Sequence, residues 1–285
     1  MKQQKDLSLR EAGLFISAAM QGLGKTRQNM WLISRYVRDK IDTGVRGRKC
    51  LILDPNGEYT EASLIENGIT DLKVRTIAVK DVAAWSRSNI VECRRIDMKS
   101  LIADDRAKIL NYIIGVCKNM LLCIEDLNTI CLNVLTLDQM VQNIVNLRHK
   151  AVDVLTSYQS LRAVEPRMLQ NCRHLRLHYQ LGSVDDIKSK LPCDKEVFKL
   201  AQLIINTRYY AGDKYFFLYI QTLAAKIEGA FSKDEFMDAC RKFLLINKKR
   251  LKEEMDITGC KQEDAVKHQS ELLYKQFYGN ADKEK

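Results

Sequence analysis

The sequence predicts a mostly parallel α/β sheet flanked by helices, followed by a mainly helical C-terminal region. Short apolar runs at 13–18, 50–54, 73–78, 90–96, 120–124, 151–157 and 173–179 alternate with helical stretches at 24–41, 99–118, 137–149 and 166–171. Buried strands alternating with helices are the pattern of a parallel sheet covered on both faces. Right-handed crossovers then gather the loops that follow the strands on one edge, where open sheets of this kind bind ligands. Beyond residue 190 the pattern changes to helix, beginning with 195–210, which divides the chain into a core over 1–190 and a helical appendage over 191–285.

The first strand, around Leu14, Phe15 and Ile16, runs into Ala19-Met-Gln-Gly22-Leu23-Gly24-Lys25-Thr26-Arg27 and then into a helix. Strand, glycine-bearing turn and helix in that order form a phosphate-binding loop. The glycines let backbone N–H groups close on phosphate oxygens, and the helix start adds its positive dipole end. Lys25 brings a cation and Thr26 a hydroxyl for magnesium, while Ala19 stands where a glycine is usual. ATP with Mg²⁺ is the expected ligand, bound by Ala19, Gly22, Leu23, Gly24, Lys25, Thr26 and Arg27.

The run Leu121-Leu-Cys-Ile124 ends in Glu125 and Asp126. A phosphate loop needs carboxylates opposite it, one on the metal side and one to orient water. The common order is Asp then Glu; here it is reversed, which by position gives Glu125 to the metal and Asp126 to the water. The strand Val152–Tyr158 ends at Gln159, whose amide is placed to reach a γ-phosphate or the attacking water.

Asp54-Pro55-Asn56-Gly57-Glu58-Tyr59, directly after the second strand, resembles the Asp-Pro-x-Gly-Glu-Tyr signature of the FtsK–HerA superfamily of DNA-pumping ATPases. Arg148-His-Lys-Ala-Val-Asp153, followed by Thr156-Ser-Tyr-Gln159-Ser160, resembles that group as well, and the likeness spans residues 10–180. In compactness the chain looks like the small genome-packaging ATPases of viruses or the morphogenesis ATPases of phages. The resemblance implies a RecA-like P-loop NTPase sheet, with Gln159 as sensor and Arg148 reaching into a neighbouring subunit's nucleotide site. It also implies a ring of five or six subunits, double-stranded DNA as partner, and a capsid vertex or portal as docking point. A geometric argument runs beside it: Arg148 precedes its strand and Gln159 follows it, so Arg148 lies far from its own nucleotide. An arginine acting on a neighbour needs a head-to-tail interface, which closes into a ring.

In the C-terminal region, Lys214–Gln221 holds an aromatic run readable as a strand or as the start of a buried helix. Ser232 and Glu235 have capping-box spacing, Phe231 and Phe236 that of a hydrophobic staple, and Phe236, Ala239, Cys240, Phe243 and Leu244 share one helical face. From Asn247 onward a polar helix or frayed tail is expected.

With 46% hydrophobic and 29% charged residues, 3 prolines and 13 glycines, the 285-residue chain has a globular composition. No apolar run approaches the roughly 18 residues of a membrane span, and Met-Lys-Gln-Gln-Lys-Asp at the start has no apolar signal core, so a cytoplasmic location is expected: host cytoplasm, or virion for a viral protein. Nine scattered cysteines without a Cys-x-x-Cys pair read as reduced core residues. The net charge of +10 fits a polyanionic partner, with Arg46–Lys49 and 127–136 as candidate gripping segments. Two other functions fit the same residues: a nucleotide-binding assembly scaffold with weak hydrolysis, and a small-molecule P-loop kinase.

Overall fold

A computed structural model describes residues 12–39, 44–130, 134–187 and 191–280. Residues 131–133 of the 127–136 segment and the last two residues of the expected 24–41 helix lie outside them. The chain divides into two compact units, one of residues 1–17 with 24–159, the other of residues 18–23 with 160–285. The boundary at 159/160 falls before residue 190, so the strand expected at 173–179 belongs to the second unit.

The first unit contains β1 (Leu14–Ala18), α1 (Lys25–Val37), β2 (Cys50–Asp54), α2 (Glu61–Glu66), β3 (Val74–Thr76), α3 (Val82–Arg87), β4 (Cys93–Asp97), α4 (Ala103–Val116), β5 (Leu121–Ile124), α5 (Leu127–Ile130), α6 (Val134–Asn146) and β6 (Asp153–Tyr158). Its strands lie in the order β3-β4-β2-β5-β6-β1. β3 with β4, β4 with β2, β2 with β5 and β5 with β6 all pair in parallel. This is the mostly parallel α/β arrangement that the alternating pattern predicts. Every residue of β2, β5 and β6 is buried, as strands covered on both faces require. Met30 and Ile33 of α1 pack with Ile52, Cys123, Leu155 and Tyr59 in one core cluster.

Cys50, Cys93, Cys117, Cys123, Cys172 and Cys240 are buried, filling space as small apolar side chains. β4 starts at Cys93 rather than residue 90, because Ile90 and Val91 face solvent. α2, α3 and α5 are too short, at four to six residues, to show a helical period in the sequence.

Two adjacent basic residues turn inward. Arg48 pairs with buried Asp153 at 3.3 Å, and Asp153 also accepts from Tyr36 Oη at 2.5 Å and Gly13 N at 2.8 Å. Lys49 Nζ donates to the carbonyls of Trp85 at 3.0 Å, Ser86 at 2.8 Å and Ser88. These three carbonyls close the end of α3, and burial pulls the Lys49 pKa down. Arg48 and Lys49 are thus part of the fold, and in the candidate gripping segment Arg46–Lys49 only Arg46 is exposed.

The second unit contains α7 (Pro166–Asn171), β7 (His174–His178), α8 (Lys195–Tyr210), β8 (Phe217–Gln221), β9 (Lys226–Gly229), α9 (Lys233–Ile246), α10 (Lys248–Thr258) and α11 (Gln262–Phe277). β7, β8 and β9 form an antiparallel ribbon. The aromatic run is a strand, β8, with Leu218 and Ile220 buried and their neighbours half-exposed. α9 starts in a complete capping box between Ser232 and Glu235, with the Phe231 and Phe236 rings 6.0 Å apart. Its buried face is Phe236, Ala239, Cys240, Phe243 and Leu244, the face set by the period. After Asn247 the chain forms two helices, and α11 buries Ala265, Leu273 and Phe277. Among the described residues no helix is long and apolar enough to cross a membrane.

Phe236→Ala is expected to destabilise the protein by about 3–5 kcal/mol, through lost burial and the cavity left behind, and Ser232→Ala by about 1 kcal/mol through the lost cap. Urea unfolding of the two variants measures the difference, and equal losses would contradict the packing described.

Candidate functional site

Gly22 (φ 80°) and Gly24 (φ 79°) both adopt the left-handed conformation that glycine reaches without strain. Gly24 caps α1 with no side-chain bond, the first turn of α1 carries no acidic residue, and Lys25 and Arg27 sit in that turn. A helix start normally attracts carboxylates. This one has cations instead, an arrangement that suits an external anion. Ala19 and Leu23 are buried, while Gly22 and Arg27 are exposed.

The register of the first unit brings the strand ends together. Leu53, Ile124 and Thr156 are paired neighbours across β2, β5 and β6. The next residue of each strand line is Asp54, Glu125 or Ser157, so polar groups gather on one edge.

Asp54, wholly buried, organises the Asp54–Tyr59 turn. Its Oδ1 accepts from Glu58 N and its Oδ2 from Tyr59 N, both at 3.0 Å, and Arg95 donates to Oδ2 at 3.0 Å. Gly57 (φ 72°) supplies the left-handed step of the turn. Glu58 then accepts the Thr26 hydroxyl hydrogen on Oε2 at 2.9 Å. Tyr59 turns inward and donates to Glu125 Oε1.

Glu125 is 3% exposed. The same Oε1 accepts from Asn29 Nδ2 at 2.6 Å, and that amide also donates to Ser157 Oγ at 2.8 Å. Burial raises the Glu125 pKa above the usual carboxylate range, and hydrogen bonds from Tyr59, Asn29 and Ser157 draw it partly back. Its neighbour Asp126 has left-handed backbone (φ 49°), and Gln159 Nε2 donates to Asp126 Oδ2 at 3.2 Å. So Glu125 turns into a cage and Asp126 out toward Gln159.

Arg148 lies in the 3₁₀ turn Leu147–Lys150 that precedes β6, with its side chain exposed. Gln159 follows the other end of the six-residue β6, which at about 3.3 Å per residue spans about 20 Å. Thr26, Glu58, Asp126 and Gln159 are therefore at one end of the first unit's sheet and Arg148 at the other.

Sequence reasoning missed two residues, Asn29 and Glu58. Asn29 is signalled only as a polar residue on the apolar side of α1. Glu58 is visible in the hexapeptide, but its bond to Thr26 joins residues 32 positions apart.

In fold the chain is similar to several solved structures. The genome packaging NTPase B204 from Sulfolobus turreted icosahedral virus 2, in complex with AMP, is 10% identical over 77% of this chain and 97% of that one, with a TM-score of 0.46. B204, the DNA-packaging ATPase from Sulfolobus turreted icosahedral virus, is 10% identical over the same shares, with a TM-score of 0.49. The N-terminal domain of zonular occludens toxin from Neisseria meningitidis is 10% identical over 59% of this chain and 76% of that one, with a TM-score of 0.32. No family model and no curated protein sequence matches the chain.

An acid whose folded pKa lies above its unfolded value, here 4.5, holds more protons when folded. Its contribution to stability is therefore greatest below that value and is lost as pH rises through the folded pKa. Glu125→Gln removes the ionisation, so the wild-type urea midpoint should decline relative to the variant's as pH rises above 4.5. A relative rise would mean that the carboxyl is held ionised by its three donors.

Proposed function

We propose that this chain is an ATP-driven, DNA-translocating ring motor of the genome-packaging kind. The observation that carries the reading is the convergence at one sheet edge of the Gly24–Thr26 helix start, the Glu58–Thr26 bond and the Asp126–Gln159 pair. In this reading the N–H groups opening α1 and the Lys25 ammonium hold the phosphates. Asp126 and Gln159 hold the attacking water and report the presence of the γ-phosphate. Magnesium, when bound, would supply positive charge against the negative charge that develops on the phosphates during transfer. Thr26 supplies a hard oxygen of the type that ion prefers.

Arg148, exposed and remote from Gln159, acts on a neighbour's nucleotide across a head-to-tail interface, as a transition-state cation worth about 10³–10⁵ in rate. A ring of five or six subunits follows from that interface. Double-stranded DNA is gripped through phosphates, in keeping with the +10 charge. A capsid vertex or portal would be the docking point.

The nucleotide-binding scaffold with weak hydrolysis has one observation in its favour. Glu125, one of two acids ending β5, is enclosed by Asn29 and Tyr59. Turnover measurements separate the readings: a motor is stimulated by DNA, and a scaffold binds nucleotide without turning it over.

Lys25→Ala is expected to abolish nucleotide binding in calorimetry. Wild-type hydrolysis should be stimulated by double-stranded DNA irrespective of its sequence, with a stimulation that falls steeply with salt. A strong sequence preference at constant salt would contradict phosphate gripping.

Arg148→Ala should leave nucleotide binding intact and lower turnover by about 10³-fold or more. Mixed with Lys25→Ala subunits it should regain activity, since each supplies what the other lacks. Inactivity at every mixing ratio would make Arg148 a surface residue.

A further inference from the structure

We propose that Glu58, rather than either acid at the end of β5, is the carboxylate that completes the metal side of the phosphate site by holding the Thr26 hydroxyl. The assignment rests on the nucleotide-binding reading above.

A threonine hydroxyl has one hydrogen and two lone pairs. Thr26 gives its hydrogen to Glu58 Oε2 at 2.9 Å. That commitment turns the lone pairs of Oγ1 away from Glu58 and leaves them as the acceptor face of the hydroxyl. A hard divalent cation takes such an oxygen as ligand, and a carboxylate behind the hydroxyl strengthens its donation. The donor set present therefore fits magnesium.

Glu125 is poorly suited to the same task. Its Oε1 is already shared by Asn29 Nδ2 and Tyr59 Oη inside a closed cage. Turning Glu125 out of this cage toward a cation would take away the acceptor that the two donors share, a costly exchange. Asp126 turns instead to Gln159.

Glu58 is also placed where an acid has no structural task. The turn around it is fixed through its backbone, by Glu58 N on Asp54 and by Tyr59 N on the same carboxylate. Its side chain is exposed, and a single exposed hydrogen bond adds little to stability. An exposed carboxylate against the threonine of an anion-binding loop repels phosphate. It becomes favourable once a cation lies between the two, so its presence points to metal-loaded nucleotide as the ligand.

Calorimetry with a non-hydrolysable ATP analogue, in Mg²⁺ and in EDTA, tests the assignment without reading activity. Wild type should bind more tightly in Mg²⁺, by a factor within about 5–150, the usual range for coupled ligands. Glu58→Gln should bind the analogue in EDTA at least as well as wild type, because a repelling charge is gone, and should lose most of the Mg²⁺ enhancement. Glu58→Asp, with a shorter carboxylate, should recover part of it. Glu125→Gln should keep the enhancement. Retained enhancement in Glu58→Gln, or its loss in Glu125→Gln, overturns the assignment. A wild-type chain that binds nucleotide equally in both media overturns it too. A wild-type chain that binds no nucleotide in either medium refutes the nucleotide reading itself, and this assignment with it. Circular dichroism of each variant confirms that the fold is unchanged.

Discussion

The buried carboxylate of Asp54 is the fixed point on which the site depends. Two backbone N–H groups and the Arg95 guanidinium converge on it. A buried carboxylate needs such partners, and losing one of them would leave an uncompensated charge. With Asp54 held, the direction of the next five residues is set. Gly57 makes the left-handed step, Glu58 meets Thr26 on the exposed side, and Tyr59 enters the core against Glu125. One turn thereby connects the start of α1 with the strand that ends in acids. The hexapeptide is best understood as this piece of geometry, with each of Asp54, Gly57, Glu58 and Tyr59 needed for a separate contact.

Charge is distributed in two ways. Some of the basic residues that stand in sequence clusters are engaged within the fold: Arg48 on Asp153, Lys49 on the carbonyls closing α3, and Arg95 on Asp54. These contacts tie their elements together. The start of α1 is the opposite case, with basic residues placed where the helix dipole is already positive and no acid in the turn. Such an arrangement is unfavourable in isolation and becomes favourable with an anion. Glu58 adds a negative group beside it, and the two together match an anion that arrives with its cation.

The fold was legible wherever local patterning decides structure. Strand ends at Asp54, Ile124 and Tyr158 followed from apolar runs, and the α9 cap and buried face followed from spacing alone. The Gly22–Thr26 turn before α1 and the acids after β5 were legible because each is contiguous in sequence. What stayed hidden depends on contacts distant in sequence. Asn29 meets Glu125 across 96 positions, and Arg48 meets Asp153 across 105. A basic cluster in a sequence looks solvated whichever way its side chains turn, so the inward course of Arg48 and Lys49 carried no local signal. The reversed Glu125-Asp126 order was visible, but its consequence needed the cage of Asn29 and Tyr59 to be seen. β9, four residues long, is set by its pairing with β8 rather than by any period of its own.

The central claim is that phosphate binds at the start of α1 with Thr26 and Glu58 on its metal side. The most direct measurement is a crystal structure with a non-hydrolysable ATP analogue and Mn²⁺, located by its anomalous signal. The account predicts the terminal phosphates against the N–H groups of Gly24–Thr26, the metal on Thr26 Oγ1 with Glu58 behind it, and Glu125 still caged by Asn29 and Tyr59. A metal bound directly by Glu125, or a nucleotide bound away from the start of α1, would contradict it.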